Sequence, residues 1–203
     1  MDGDFELLRA WQTGDDRAGE QLFRDNYRAV LRFFHNKAGT QAYDLVQRTF
    51  LGCLEARGRI REGASFRAFL FGVARNVLYD HYRLARRDRD HLDFGSVSVE
   101  DLQPSPTSAL AHAHEAELLL RALRRVPLEA QMILEMYYWE GMGAREIGEV
   151  LGMPEPTVRT KIRRGRLRLE QEIAASDASP SVRRSTVESI ETWARRIRDG
   201  IHE

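Results

Sequence analysis

Apolar residues recur every three or four positions along most of the 203 residues of the chain. This spacing places them on one side of an α-helix, and no run of alternating β-branched residues is long enough to predict a strand. In the first half the pattern predicts helices over 5–13, 16–37, 43–57 and 65–87, the last one capped by Ser65. The third helix is predicted to turn these residues inward: Leu45, Val46, Phe50, Cys53 and Leu54. We therefore expect an all-α fold.

Two segments rich in serine, proline and glycine interrupt the helical pattern. The first, residues 89–108, predicts a flexible linker between two helical domains, at 1–88 and 109–175. The second sets off a C-terminal extension, residues 176–203, which contains a short amphipathic helix. Its apolar side carries Val187, Ile190, Trp193, Ala194 and Ile197. We expect this side to pack on a neighbouring domain, where it would hold the two domains closed; an exposed or disordered tail is the alternative.

Residues 144–169 carry the most specific local pattern. A first helix ends at Gly152, which tolerates the left-handed conformation, and Pro154 prevents its continuation. Pro156 is acceptable in the first turn of the next helix. That helix has a buried stripe at Val158, Ile162, Gly165 and Leu169, and a polar face at Thr157, Thr160, Lys161, Arg164 and Arg168. The pattern predicts a helix-turn-helix whose second helix fits a DNA major groove; an ordinary helical hairpin is the alternative.

Charge is distributed by segment. The chain has 31 basic and 31 acidic residues, so its formal net charge is zero. Residues 57–91 nevertheless contain nine basic against four acidic residues, and residues 156–169 contain six basic residues and no acid. The stretch from 93 to 122 has five acids and one base. Either basic segment alone is more typical of a solvated helix face, but one such segment in each domain makes nucleic-acid binding a competing interpretation.

Several classes of protein are disfavoured by the sequence. No apolar run approaches the roughly 20 residues that span a bilayer, and the acidic N-terminus is unlike a signal peptide. We expect a cytoplasmic protein that binds no membrane. The single cysteine, Cys53, predicts a buried thiol. His112 and His114 lie on different sides of a helix, and no phosphate loop or nucleophile motif is evident, so we expect no metal, no cofactor and no enzymatic activity.

Two blocks of the sequence resemble one family. Residues 123–169 resemble the sigma-four domain of extracytoplasmic-function (ECF) sigma factors of bacterial RNA polymerase, which form group 4 of the sigma-70 family. The stretches "DLVQRTFLGCLEA" and "FRAFLFGVARNVLYDHYRLARR" resemble their sigma-two domain. The resemblance implies a sigma factor that directs the polymerase to promoters and starts transcription. Promoter DNA and the polymerase core are the implied partners, the core through its β′ clamp helices and β flap.

The resemblance also implies roles for individual residues. Core polymerase binding is implied for Asp44, Gln47, Arg48 and Phe50. Contacts with the minus-ten element are implied for Arg61, Asn76, Asp80, Arg83, Arg86 and Arg87, next to a loop at 58–65 that would hold a flipped base. Contacts with the minus-thirty-five element are implied for Thr157, Arg159, Thr160, Lys161, Arg163, Arg164 and Arg166. The acidic linker matches the connector that passes through the RNA exit channel.

The clamp-docking helix departs from the family pattern. The family has acids at three positions where this chain has Gln41, Tyr43 and Arg48. If the clamp helices are basic, this change weakens binding to the core. We hypothesise that phosphorylation of Thr49 or Thr40 restores the negative charge, which would make a Ser/Thr kinase the regulator in place of an anti-sigma factor. The alternative is that Thr49 is simply the threonine usual in the family and that other contacts tune binding to the core, and control by an anti-sigma factor stays open.

The alternative to a sigma factor is a helix-turn-helix repressor or activator. Such a regulator would bind a palindromic site without the polymerase, whereas a sigma factor binds an asymmetric site with two elements.

Overall fold

The computed structural model describes residues 2–60, 65–85, 92–102, 114–192 and 194–195. Within these ranges the regular structure is helical, apart from one antiparallel bridge between Ser98 and Pro127. The prediction of an all-α fold is confirmed. Across the described residues, no helix is both long enough and apolar enough to cross a membrane.

Four helices build the N-terminal part of the chain. They are α1 (Asp2–Gln12), α2 (Asp16–Ala38), α3 (Ala42–Glu55) and α4 (Phe66–Ala85). Asp15 caps α2 by accepting from the backbone N–H groups of Arg17 and Ala18, and Ser65 caps α4 through Ala68 as predicted. The core is aromatic, with Trp11 edge-on to both Phe23 and Phe66. One inward prediction is wrong: Leu54 is 49% exposed, because it lies on the outer face of α3.

Five helices follow in the second half. They are α5 (Val99–Leu102), α6 (His114–Arg125), α7 (Leu128–Tyr138), α8 (Ala144–Leu151) and α9 (Glu155–Ala174). Helices α8 and α9 form the predicted helix-turn-helix, and Gly152 between them has φ +68°. A Cβ atom on Gly148 would lie 2.5 Å from the carbonyl oxygen of Met153, so only glycine lets the turn fold back this closely.

The chain continues into α10 (Pro180–Glu188), which is capped by Ser179 through the N–H of Val182. It packs on α6 and α9, and Ile190 and Ala194 beyond it are buried with Leu169 and Ile173. The prediction that the extension packs on a neighbouring domain is confirmed. Its main helix contacts are all with the second domain, so they do not hold the two domains together. Trp193 and Ile197 lie outside the described residues.

The two halves pack against each other in a closed arrangement. Helix α4 lies along α8, and buried residues of both halves form one continuous core cluster. Part of the predicted linker, residues 92–102, is docked here: Phe94 and Val99 are buried. The N–H groups of Leu128 and Glu129 bind the carbonyl oxygens of Val97 and Phe94. This segment is therefore anchored to the start of α7.

Candidate functional site

Helix α9 presents a polar face to solvent. Thr157, Arg159, Thr160, Arg163 and Arg164 are exposed, while Val158, Gly165 and Leu169 face the core. Neither Arg163 nor Arg164 forms an ion pair with any part of the chain that the structure describes. These guanidinium groups are available for phosphates or base edges.

The other predicted recognition residues are engaged by neighbouring side chains. Lys161 donates to Glu129 at 2.6 Å, which ties α9 to the start of α7. Arg166 lies 2.9 Å from Glu170 and 3.3 Å from the hydroxyl of Tyr138, and these hydrogen bonds raise the pKa of Arg166. Arg159 pairs with Glu155 one turn away, at 2.9 Å. Contact with DNA at these three positions requires exchange of an intramolecular partner.

Helix α4 brings the predicted minus-ten residues to one exposed face. Asn76 and Asp80 are exposed, and Arg83 lies 3.5 Å from the carboxylate of Asp80. Arg75, which the sequence reasoning did not select, donates to the amide oxygen of Asn76 at 3.2 Å. Arg61, Arg86 and Arg87 lie outside the described residues, as does half of the predicted base-binding loop, residues 61–64.

The exposed face of α4 borders the helix-turn-helix. A cleft of about 890 Å³ lies between them, and Arg75 and Asn76 line it on one side. Arg145, Gly152 and Glu155 line the other side. The predicted minus-ten face and the start of the predicted recognition helix therefore share one cleft in this arrangement.

Helix α3 displays a mixed surface. Asp44 and Gln47 are exposed and Arg48 is half-buried, whereas the Phe50 ring stacks 4.8 Å from that of Phe23 and belongs more to the core. Burial lowers the pKa of His81 on α4, and the nearby charge of Arg48 adds to this shift. The acidic character of this surface is low, as the sequence predicted.

The same helix exposes apolar residues that the sequence reasoning missed. Tyr43 is 60% exposed and Leu51 55% exposed, and both lie on the side of Gln47, at helical spacing of four. With Leu54 they form what we call the α3 stripe: Tyr43, Gln47, Leu51 and Leu54. The four-residue spacing of Tyr43, Gln47 and Leu51 could have indicated a shared helix face. Apolar residues at helical spacing are usually assigned to the core, however, so the spacing did not indicate that this face is exposed.

The two candidate phosphorylation residues differ in access. The Thr49 hydroxyl is fully buried and donates to the carbonyl oxygen of Leu45 at 2.7 Å. Thr40, in the single turn that precedes α3, is exposed. A kinase can reach Thr40 in this arrangement, whereas Thr49 becomes accessible only if α3 leaves the core.

Buried charges cross the interface between the two halves. Lys37 of α2 pairs with Glu135 of α7, and both side chains are inaccessible to solvent. Glu140, after α7, accepts from Arg32 at 3.0 Å and from Arg67 at 2.7 Å. Ser65 donates to Glu146 at 3.0 Å. The closed arrangement thus has specific polar contacts in addition to its apolar core.

Comparison with known proteins decides the family. Residues 22–88 match the family model for sigma-70 region 2, and residues 116–169 match the model for sigma-70, region 4. The chain is 27% identical over 183 residues to the ECF RNA polymerase sigma factor SigM of Mycobacterium tuberculosis, with 89% of this chain and 90% of SigM covered. The chain belongs to the ECF sigma factors. It is 26% identical over 158 residues to BldN of Streptomyces coelicolor, another ECF sigma factor, but that alignment covers 76% of this chain and only 60% of BldN.

Solved structures support the fold of this sigma factor. CnrH, in complex with the cytosolic domain of CnrY, superposes with a TM-score of 0.63 at 22% identity, covering 87% of this chain and 99% of CnrH. The sigma factor RpoE of Bartonella quintana, in complex with the anti-sigma factor NepR, superposes with a TM-score of 0.61 at 18% identity, covering 77% of this chain and 97% of the RpoE chain. This sigma factor is a transcription initiation factor for RNA polymerase and not an enzyme. The matches do not favour the alternative of a repressor or activator of another class.

Proposed function

We propose that this sigma factor recognises a promoter with two elements, the minus-thirty-five element through α9 and the displaced minus-ten strand through the exposed face of α4. The observation that carries the proposal is the exposed face of α9, where Thr157, Thr160, Arg163 and Arg164 lie together on a helix held by the tight turn at Gly152. A helix entering a major groove reads bases from its N-terminal half, and its arginines contact phosphates or guanine.

Run-off transcription with purified core polymerase tests this proposal. Transcripts mapped from genomic templates define the promoter, and we expect start sites preceded by two elements without a palindrome. Arg164→Ala should lower transcription about 10-fold, since a phosphate or base contact is worth about 1–3 kcal/mol. Arg184→Ala, an exposed arginine on α10, is the matched control and should leave transcription unchanged. Failure of the wild-type holoenzyme to initiate anywhere would refute the proposal.

We propose that the two halves separate when the polymerase core binds. The cleft between α4 and the helix-turn-helix has a volume of about 890 Å³. A cube of this volume has an edge of about 10 Å, which is less than the width of the DNA major groove alone, about 12 Å, so the cleft does not admit a duplex. The polar face of α9 already lies in solvent, whereas the α4 face borders the cleft and can meet its strand only after the cleft opens. Energy from core binding would supply the cost of opening.

The α3 stripe is our candidate for the main contact with the β′ clamp helices. Two apolar side chains and a tyrosine are exposed where the family has acids nearby, so apolar burial would replace part of the lost charge attraction. Leu51→Glu should abolish capture of core polymerase by the tagged sigma factor. Phe5→Glu, an equally drastic change on the exposed face of α1, is the control and should not affect capture. Equal capture by both variants would exclude the stripe.

Phosphorylation is our proposal for strengthening this contact, with Thr40 as the accessible residue and Thr49 as a residue that needs local opening. A phosphate adds about −1.5 to −2 charges beside a helix that has lost three acids. Thr40→Glu should increase capture of the core and Thr40→Gln should not. Thr49→Glu is expected to unfold the domain, because it places a carboxylate in the core. If neither Thr40→Glu nor kinase treatment changes capture, regulation by an anti-sigma factor, as in the complex of RpoE with NepR, becomes the preferred proposal.

A further inference from the structure

A flat aromatic stack lies at the edge of the minus-ten face. The ring of Tyr79 on α4 and the ring of Phe94 in the docked linker are 3.9 Å apart at an angle of 8°. The guanidinium of Arg83 lies 6.0 Å from the Tyr79 ring centre and 5.6 Å from that of Phe94, and Arg75 lies 5.9 Å from Tyr79. Most other close ring pairs in the described residues are edge-on or tilted. Face-to-face stacking at this distance is the geometry in which a nucleobase stacks on a side chain.

The surroundings of Tyr79 suit a single nucleic-acid strand. A cavity of about 520 Å³ beside the ring is lined by Arg75, Asn76, Asp80 and Arg83, together with residues of the second domain. Two arginines beside an aromatic face are the combination that holds the phosphates and the bases of a strand. Burial raises the pKa of Tyr79 to about 12, so its hydroxyl stays protonated and adds no negative charge beside the phosphates.

The position of Phe94 is fixed by the second domain. The carbonyl oxygen of Phe94 accepts from the N–H of Glu129 at 3.0 Å, and Glu100 of the same segment pairs with Arg125 at 2.9 Å. Phe94 is only 6% exposed. When the second domain leaves α4, this segment is carried away with it, and the face of Tyr79 becomes free.

We propose that Tyr79 is a base-stacking residue for the displaced DNA strand, and that Phe94 occupies the position of the base in the closed arrangement. Arg75 and Arg83 would contact the phosphates on either side of the stacked base. The proposal rests on the function proposed above and adds a binding residue to it. It also makes strand binding and domain separation mutually dependent, since base and Phe94 compete for one ring face.

Binding of a fluorescent thymidine oligonucleotide of about 12 nucleotides to the full-length chain tests the competition. Phe94→Ala should increase its affinity relative to the wild type, because the ring face is uncovered. Adding Tyr79→Leu to Phe94→Ala should lower the affinity by about 5- to 100-fold, whereas adding Tyr79→Phe should change it less than about 2-fold. Tyr137→Leu, which removes an exposed ring of α7 away from this face, is the matched control and should have no effect.

The salt dependence separates stacking from a general loss of structure. Tyr79→Leu should leave the slope of log affinity against log salt unchanged, whereas Arg83→Gln should reduce it by about 0.7, the contribution of one phosphate contact. If Phe94→Ala does not fold, the comparison of Tyr79→Leu with Tyr79→Phe is made in the holoenzyme on the mapped promoter. Equal strand binding by the leucine and phenylalanine variants would refute the stacking role. The proposed function is tested by a separate measurement, run-off transcription by the wild-type holoenzyme. Equal strand binding by the two variants would therefore refute the stacking role without refuting the proposed function.

Discussion

Lys37 and Glu135 form an ion pair inside the core, although 98 residues separate them along the chain. Burial lowers the pKa of Lys37 and raises that of Glu135, and each charge offsets part of the shift of the other. Lys37 also donates to the carbonyl oxygen of Phe33, and Gln131 donates to Glu135 at 2.8 Å. The pair is therefore embedded in hydrogen bonds, which is the condition under which buried charges are tolerated.

Removal of one partner should be costly. Glu135→Ala leaves a buried ammonium group without its counter-charge, and we expect a loss of about 3–5 kcal/mol in the free energy of unfolding. The double variant Lys37→Met, Glu135→Leu should recover most of this loss, because the apolar side chains have similar volume. Urea denaturation of the full-length chain measures both values.

An exposed pair serves as the comparison. Glu117→Ala removes the partner of Arg121 on the surface of α6 and should cost less than about 1 kcal/mol. Similar losses for Glu135→Ala and Glu117→Ala would show that the buried pair is not energetically distinct.

At the scale of elements, the turn between α8 and α9 depends on one glycine. Gly152 has φ +68°, a conformation that costs other residues about 1–2 kcal/mol. Gly152→Ala should lower the free energy of unfolding by about this amount, and Gly152→Asn by less, since asparagine tolerates this conformation better. Gly58→Ala is the matched control: Gly58 does not have a positive φ and no atom lies within 4 Å of its Cβ position, so a change within about 0.5 kcal/mol is expected. Thermal unfolding of the three variants would contradict this account if Gly58→Ala were the most damaging.

The helices and this turn could be predicted from the sequence because their signals are local. Asp15 and Ser65 mark boundaries through capping and Gly152 through its backbone conformation, and both signals depend on a few neighbouring residues. Phe94 could not be assigned to the core, because the apolar residues of its segment lie among glycine, serine and aspartate and do not continue a helical period. Leu54 was assigned to the wrong face because helical spacing alone does not show how wide the buried side of α3 is.

At the scale of the whole molecule, the contacts between the two halves had no sequence signal. The pairing of Glu140 with Arg32 and Arg67 joins positions more than 70 residues apart. The charge pattern along the chain predicted two basic surfaces. It did not predict that residues of α4 and residues of the helix-turn-helix would line the same cleft. Long-range pairing of this kind depends on the tertiary arrangement, which local periodicity does not encode.

The carboxylate of Glu140 bridges the two halves, so its removal should favour the open arrangement. It accepts from Arg32 on α2 and from Arg67 on α4, while its own backbone belongs to the segment between α7 and α8. Glu140→Ala removes both bonds at once and takes away the carboxylate charge that lies between the two guanidinium groups. We expect lower energy transfer between dyes attached at Glu20→Cys and Ser181→Cys, one in each half.

The chain suits this measurement because its own thiol is protected. Cys53 is buried, and burial raises its pKa to about 12, so maleimide dyes should react only with the introduced cysteines. Glu149→Ala is the matched control, since Glu149 pairs with Arg145 within α8 and, among the described residues, forms no ion pair with the first half. Energy transfer should fall for Glu140→Ala and for the wild type with core polymerase, and stay unchanged for Glu149→Ala. Equal transfer in the wild type, in both variants and in the holoenzyme would mean that the closed arrangement persists during core binding, and the proposed separation of the domains would be wrong.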